Sequence, residues 1–415
     1  MSTALAAPTS PERVTIPRDS FLLAVSLFLV IAATNILTPL LPDIRNDFGV
    51  SIATAGVIVG SYGLARLITD LPAGFLLDRI GHRRLTIAGF MLLVLSSLLG
   101  LGATSVQMLI AARVGAGVAV AIISTVILAG LSSTATVANR GKVMSLFHVA
   151  NNVGIAAYPL IGGIVGVALG WRATFGVTVA LVIVAALILV PLLLRIHPRK
   201  GAAPRAPTAD PRVLHGRSRA IAIAATNVGV VANMINRHGF RNTVLPLYAA
   251  TSLGLGGISI ASAIALMSIT GLLVATPGGM LGDRIGRRRI ITTGLAAIAV
   301  GDLVFLLTHD LVTFLAAAAL IGFGDFFSSS QTALLSEIVP PDQRTQVLGG
   351  YRFSADLGAF VGPVLLAGVM DLANAQLAIL VAVAILLTAS LVARLGVPGL
   401  VDVTRGPEAL SVGRS

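Results

Sequence analysis

Apolar residues in this chain come in long, nearly unbroken runs of about twenty, separated by short breaks rich in charge, Gly or Pro. Wound as a helix at about 1.5 Å per residue, a run of that length crosses a hydrocarbon layer of about 30 Å. Twelve such spans are predicted, six at 20–41, 53–77, 85–104, 107–134, 141–168 and 172–194. Six more follow at 219–250, 258–281, 289–307, 311–337, 344–371 and 374–394. The long polar interruption, 195–218, holds Pro198, Pro204, Pro207 and Pro211 among basic residues and has the composition of a flexible linker. The predicted class is therefore an all-α polytopic membrane protein. It divides into a tail (1–19), a six-helix bundle (20–194), the linker (195–218), a second six-helix bundle (219–394) and a tail (395–415).

Composition supports that class. Residues of the AVILMFWYC set make up 56% of the chain and charged residues 11%, against about 25% charged in soluble domains. The first run, Phe21 to Leu41, is longer than the core of a signal peptide and is expected to stay as the first helix. With no cysteine, disulfide and thiolate–metal chemistry are excluded. The net charge of +12 would suit nucleic acid if it gathered on one face, but it follows the loops instead. With the N-terminus inside, 22 of the 29 basic residues fall on the cytoplasmic side, and only Arg45 and Arg172 fall on the other. Both termini are expected in the cytoplasm, in a cell (plasma or inner) membrane. The excess of Arg over Lys points to a bacterial source.

One polar break occurs twice. PAGFLLDRIGHRR (72–84) and PGGMLGDRIGRRR (277–289) match at nine of thirteen positions. Each copy joins the second helix of its half to the third. Two similar six-helix units in one orientation suit a parallel-repeat transporter that rocks around a midplane site. The turn resembles the loop motif G-x-x-x-D-R-x-G-R-R of the major facilitator superfamily, through Gly74, Asp78, Arg79, Gly81, Arg83 and Arg84. The second copy fits through Gly279, Asp283, Arg284, Gly286, Arg287 and Arg288. Arg113-x-x-x-Gly117 is similar to the family's helix 4 motif. Gly154-x-x-x-Tyr158-Pro159-x-x-Gly162-Gly163 resembles its helix 5 motif, with Tyr158 in place of glycine. Helix 11 keeps the first half of that pattern, Gly358-x-x-x-Gly362-Pro363. The resemblance implies a twelve-helix transporter of the drug:proton antiporter branch, with helices 5 and 11 as gating elements and Asp78 as part of a cytoplasmic latch. From the residues alone, the same small-residue spacing also suits tight helix packing, and the arginines also suit a topology anchor.

Ionisable groups inside the spans cost at least about 2.5–3.5 kcal/mol each at the bilayer centre and so are functional or paired. Arg66 and Asp70 lie one turn apart in helix 2, and Arg352 and Asp356 one turn apart in helix 11. Asp325 has no basic neighbour on helix 10. It is the first candidate for proton coupling, against neutralisation by Arg237 or Arg241 across a cavity. Asp356 and Asp70 are the other two candidates. Asp302 is expected near the outer end of helix 9, with a solvated role open to it. At an offset of 204, His148 and Asn152 match Arg352 and Asp356, so the resemblance places a polar pair on each of two cavity-lining helices. Helix 1 offers Asn35 rather than the carboxylate that many of the family's exporters carry. Helix 7 is the most polar, and a 3.6 period sets Asn233, Arg237 and Arg241 on one face beside His238. Those arginines would favour an anionic or zwitterionic substrate. Tyr62, Tyr158 and Phe326 complete the candidate cavity, with Tyr248 and Phe327 as further aromatics.

The expected function is secondary active transport by rocker-switch alternating access, with proton-coupled efflux of small organic molecules or drugs leading. A proton symporter or uniporter importing a sugar, organic acid or other metabolite is the alternative. A membrane receptor or lipid scramblase comes after it. The pattern holds no nucleotide loop, metal cluster or nucleophile–base pair, so no enzyme activity, metal or cofactor is expected, and the proton gradient is the expected energy source. The expected partners are substrate, protons and lipid, with no nucleic acid, and the expected state is a monomer.

Overall fold

The structure is a computed structural model that describes residues 17–34, 36–135, 139–195, 213–340, 342–397 and 399. Asn35, the His148 side chain, linker residues 196–212 and most of both tails lie outside the described residues. The first bundle comprises α1 (Arg18–Phe48), α2 (Ile52–Ile80), α3 (His82–Leu101), α4 (Val106–Thr134), α5 (Arg140–Leu169) and α6 (Trp171–Arg195). The second comprises α7 (Gly216–Ser252), α8 (Gly257–Ile285), α9 (Arg287–Phe305), α10 (Leu311–Ile338), α11 (Arg344–Leu372) and α12 (Ala375–Gly396). Among the described residues no strand occurs. Eleven of the twelve are apolar enough to cross a membrane by themselves. The twelfth is α9, in which Arg287, Arg288, Arg289 and Asp302 share nineteen residues.

Each break has a local cause. Gly81 (φ 85°) and Gly286 (φ 97°) end α2 and α8 at the duplicated turn, in a backbone region that side-chain-bearing residues avoid. At the opposite end of the bundle, side-chain caps start four helices. Ser51, Ser105, Asp310 and Asn374 accept the amides of Thr54, Met108, Thr313 and Leu377 at 3.2, 3.3, 2.8 and 2.8 Å. The Thr313 amide and hydroxyl hold the Asp310 carboxyl below its ordinary range.

Three helices lose α geometry midway. α1 has a 3₁₀ turn at Thr38–Leu40 and α10 one at Gly324–Phe327, while α7 widens to a π-helix over Ile235–Val244. Pro39 and Gly324 sit inside the first two, and Pro246 follows the third. Irregular backbone at membrane depth is tolerated where it is buried in protein or lines a cavity, and all three interruptions face the centre of the molecule. Large apolar side chains cover the outside, among them Leu187, Leu273 and Val312 at 71%, 69% and 76% exposure. That surface suits lipid rather than water.

The halves meet along α2–α11 and α5–α8. A Cβ on Gly56 would lie 2.5 Å from the Pro363 carbonyl oxygen, and one on Gly63 2.8 Å from the Ala359 carbonyl carbon. Gly163 similarly packs on Ala261 of α8. Small residues thus bring the backbones of opposite halves into contact. At the capped end the seam is closed further by the Ile52 amide, which donates to Asp371 of α11 at 3.0 Å. At the end carrying the arginine-rich turns, Gly74, Gly349 and Gly350 have nothing within 4 Å of where a Cβ would stand, and Phe75 is 74% exposed. The close backbone approaches between α2 and α11 thus run from Gly56 to Gly63, on the capped side of Arg66.

Candidate functional site

The π segment of α7 sets the side-chain register of the site. Its hydrogen bonds reach five residues back, so residues five apart line up. Arg241 Nε donates to Asn236 Oδ1 at 3.0 Å, and Thr243 Oγ1 to the His238 carbonyl at 2.9 Å. From this anchor the Arg241 guanidinium forks onto Asp325 of α10, with Nη1–Oδ2 at 2.7 Å and Nη2–Oδ1 at 3.1 Å. Of the two sequence readings of Asp325, the geometry matches neutralisation across the cavity. Asn236 in turn donates through Nδ2 to Asp302 of α9. Asp302 is 0% exposed, which rules out the solvated role left open for it near the end of helix 9. Asn233 is also off the predicted face. The π turn shifts the phase between it and Arg237, so Asn233 is buried outside the cavity lining.

A second cluster spans the two halves. Arg66 of α2 reaches Asp70 at 3.4 Å and, across the seam, Asp356 of α11 at 3.7 Å. Arg66 thus brings a carboxyl group from each half, Asp70 and Asp356, to one guanidinium. The expected partner of Asp356, Arg352 one turn away, forms no ion pair within 4 Å among the described residues. It is exposed and lies outside the cavity lining, although its charge still reaches Asp356.

Between these clusters lies a cavity of about 240 Å³, walled by α1, α2, α5, α7, α8, α10 and α11. Tyr62, Arg66, Tyr158, Arg237, His238, Arg241, Asp325 and Asp356 line it as the sequence suggested. Arg237 has no carboxylate within ion-pair distance among the described residues. Four more of the expected residues lie outside the lining. Asn151 rather than Asn152 lines the cavity, because Asn151, Ile155 and Tyr158 share a face at i, i+4 and i+7. Phe326 packs on Gly278 and stacks near Phe323, while Tyr248 and Phe327 fill the core of the second half. Sequence reasoning also missed the apolar wall of Ile31, Ile264, Met234 and Met267, which a long apolar run does not distinguish from lipid-facing positions.

The motif residues divide by role. Arg113 is buried with its guanidinium 4.7 Å over the Tyr62 ring, and Gly117 lets α4 approach the Tyr62 carbonyl. Gly154 and Gly162 of α5 pack on Ile31 and Ile36 of α1, and Gly358 and Gly362 of α11 pack on Val231 and Ile235 of α7. Pro159 and Pro363 sit inside those two helices. The two copies of the charged turn differ. In the second, Arg287 contacts Asp283 and also Glu337 of α10 at 3.0 Å. The first has His82 at the position of Arg287, and Asp78 is exposed. Arg79, Arg83 and Arg84 are exposed beside it. Glu337, the residue that ties the second turn to α10, was not singled out from the sequence.

The family model of the Major Facilitator Superfamily matches residues 23–236 and 226–410. The chain belongs to that superfamily. It is 26% identical to multidrug resistance protein 2 of Bacillus subtilis over 350 residues, covering 82% of this chain and 86% of that protein. It is also 26% identical to a chloramphenicol resistance protein of Streptomyces lividans over 356 residues, covering 85% and 88%. The fold matches a solved peptide transporter in complex with sulfate (TM-score 0.74, 15% identity, 96% of each chain). This member of the superfamily is thus a multi-pass membrane transporter and not an enzyme. Of its two clusters of arginine and carboxylate, Arg66–Asp356 crosses from one half to the other, and Arg241–Asp325 lies within the second half.

Proposed function

We propose that this facilitator-superfamily transporter exports small organic molecules in exchange for protons, with the arginine-rich end in the cytoplasm. The observation that carries the reading is the Arg66–Asp70–Asp356 cluster, in which one guanidinium holds carboxyl groups from both halves. One guanidinium balances the charge of one carboxyl group, and in this reading the transported proton rides on the other. Asp70 rides on α2 and Asp356 on α11, so rocking the halves apart at this depth splits the pair and frees that proton. Arg66 compensates the charge left behind. The efflux relatives support the direction. The apolar wall suits the body of an amphiphile, and Arg237 offers five N–H donors to an acceptor group on it.

Proteoliposomes loaded with a pH indicator test the proposal. Substrate moving one way should drive protons the other way, and Asp356→Asn should abolish that flux while substrate binding persists. Protons moving with substrate would establish symport instead. Substrate movement with no proton flux would establish uniport.

A further inference from the structure

A second cluster of buried polar atoms lies inside the second half, away from the seam between halves. The α7 face that carries Gly229, Asn233 and Asn236 packs toward α9 and α10. A Cβ on Gly229 would meet Gln331 Nε2 at 3.2 Å and Leu295 at 3.6 Å, and Asn236 contacts Asp302. Asn233, one α-helical turn after Gly229 and ahead of the π segment, lies on the face of Gly229. Asp302, Asn233 and Gln331 are 0%, 3% and 1% exposed. Asp302 Oδ1, Asn233 Oδ1 and Gln331 Nε2 have no hydrogen-bond partner among the described residues. Two of these three atoms are acceptors.

Charge is unbalanced in the same direction. Among the described residues Arg241 is the one basic group in reach of Asp302, and its guanidinium already forks onto Asp325. Asp302 receives only a neutral amide from Asn236. Among the described residues the other elements packed against α9 bring no charge at that depth, and Glu337 of α10 lies at the arginine-rich end with Arg287. α8 carries Asp283 and Arg284 at its arginine-rich end, and α12 carries Arg394 at its own last turn. Two carboxylates and one arginine thus share a buried region, and an unpaired buried carboxylate is among the costliest groups a protein can hold.

We propose that Asp302, with Asn233, forms a site for a monovalent cation, a proton or a sodium ion, inside the second half. The cation neutralises Asp302 on Oδ1. Through Asn236 its presence is felt at Arg241, and so at the wall of the substrate cavity. This site does not depend on the Asp70–Asp356 pair, so the two can fail separately.

Thermal unfolding of the full chain in detergent tests it, with NaCl or KCl at pH 8 and at pH 5 in potassium salt. A ligand bound by the folded state alone raises the melting temperature with its concentration. Stabilisation by Na⁺ over K⁺ at pH 8 identifies sodium, and stabilisation on acidification without a sodium effect identifies the proton. In either case Asp302→Asn, which resembles the neutralised carboxyl, should fold, melt near the loaded wild type, and lose most of that dependence. Any acid response that survives in it belongs to other groups such as Asp70 and Asp356. Asp302→Ala should melt lower under all conditions, since it also strands Asn236. The proposal is overturned if Asp302→Asn keeps the full cation and pH response of the wild type. It is equally overturned if Asp302→Asn falls to the level of Asp302→Ala, because the charge itself would then be the structural requirement.

Discussion

Replacing Asp325 with asparagine separates a structural carboxylate from a proton carrier. Asp325 and Arg241 are 8% and 4% exposed and joined by two hydrogen bonds, the shorter 2.7 Å. Asparagine keeps the shape but removes the charge and one acceptor oxygen, leaving the Arg241 guanidinium buried with only neutral amide oxygens facing it at that site and at Asn236. Breaking a buried pair by removing one partner costs about 3–5 kcal/mol. At roughly 2 °C per kcal/mol for a large domain, the apparent melting temperature in detergent should fall by on the order of 5–10 °C. Arg241→Gln in the same background removes the stranded charge and should recover part of the loss. The double-mutant cycle should give a coupling energy toward the upper end of the roughly 0.5–3 kcal/mol seen for contacting residues. If Asp325→Asn melts with the wild type and instead shifts the pH dependence of transport, the pair is a coupling site and the reasoning from its geometry is wrong.

Other consequences are as direct. Asp70→Asn should reduce substrate-driven proton flux as Asp356→Asn does, since either removes half of the carboxyl pair; a variant with normal flux would show that the pair carries no proton. Gly362→Val should lower melting temperature and yield, because its Cβ would sit 2.7 Å from Ile235 Cα and 2.8 Å from the Ile235 carbonyl oxygen, an overpacking that costs about 1–3 kcal/mol or more. Gly349→Ala, with nothing within 4 Å, should be silent by the same measurement. Asp78→Asn should slow transport at unchanged abundance, because the first turn lacks the Arg287–Glu337 contact that fastens the second; equal transport rates would reduce the turn to a topology anchor.

The helices were legible because long apolar runs and the glycine of the duplicated turn encode them locally. A left-handed φ at Gly81 and Gly286 needs no tertiary partner. Side-chain phase was legible only where α geometry persists. Asn233 was misplaced because the π segment changes the period inside a helix. That segment depends on contacts no local window shows, namely Pro246 following it and the approach of Gly239 to Gly362 of α11. Asp302 was misjudged for a related reason. Its distance from the end of a hydrophobic run suggested water, whereas Asn236, 66 residues earlier, supplies its buried partner. Arg66 and Asp356 belong to different halves, and nothing at the level of one helix marks them as a pair.

These failures share a physical origin that bears on transport. An ion pair within one helix turn survives any rigid movement of that helix and so cannot report the movement. Arg66 with Asp70 is of that kind. Arg66 with Asp356 is not, since rocking the halves must change the distance between α2 and α11. Arg241 with Asp325 and Asn236 with Asp302 join different helices of one half, and they hold if the second bundle moves as a unit. The contact that links movement to charge is therefore the one that sequence spacing cannot reveal. A cross-link tying α2 to α11 beside Asp356 should stop proton release, while one tying α7 to α10 beside Asp325 should leave it running. The opposite result would place the moving boundary inside the second half and remove the Asp70–Asp356 pair from the mechanism.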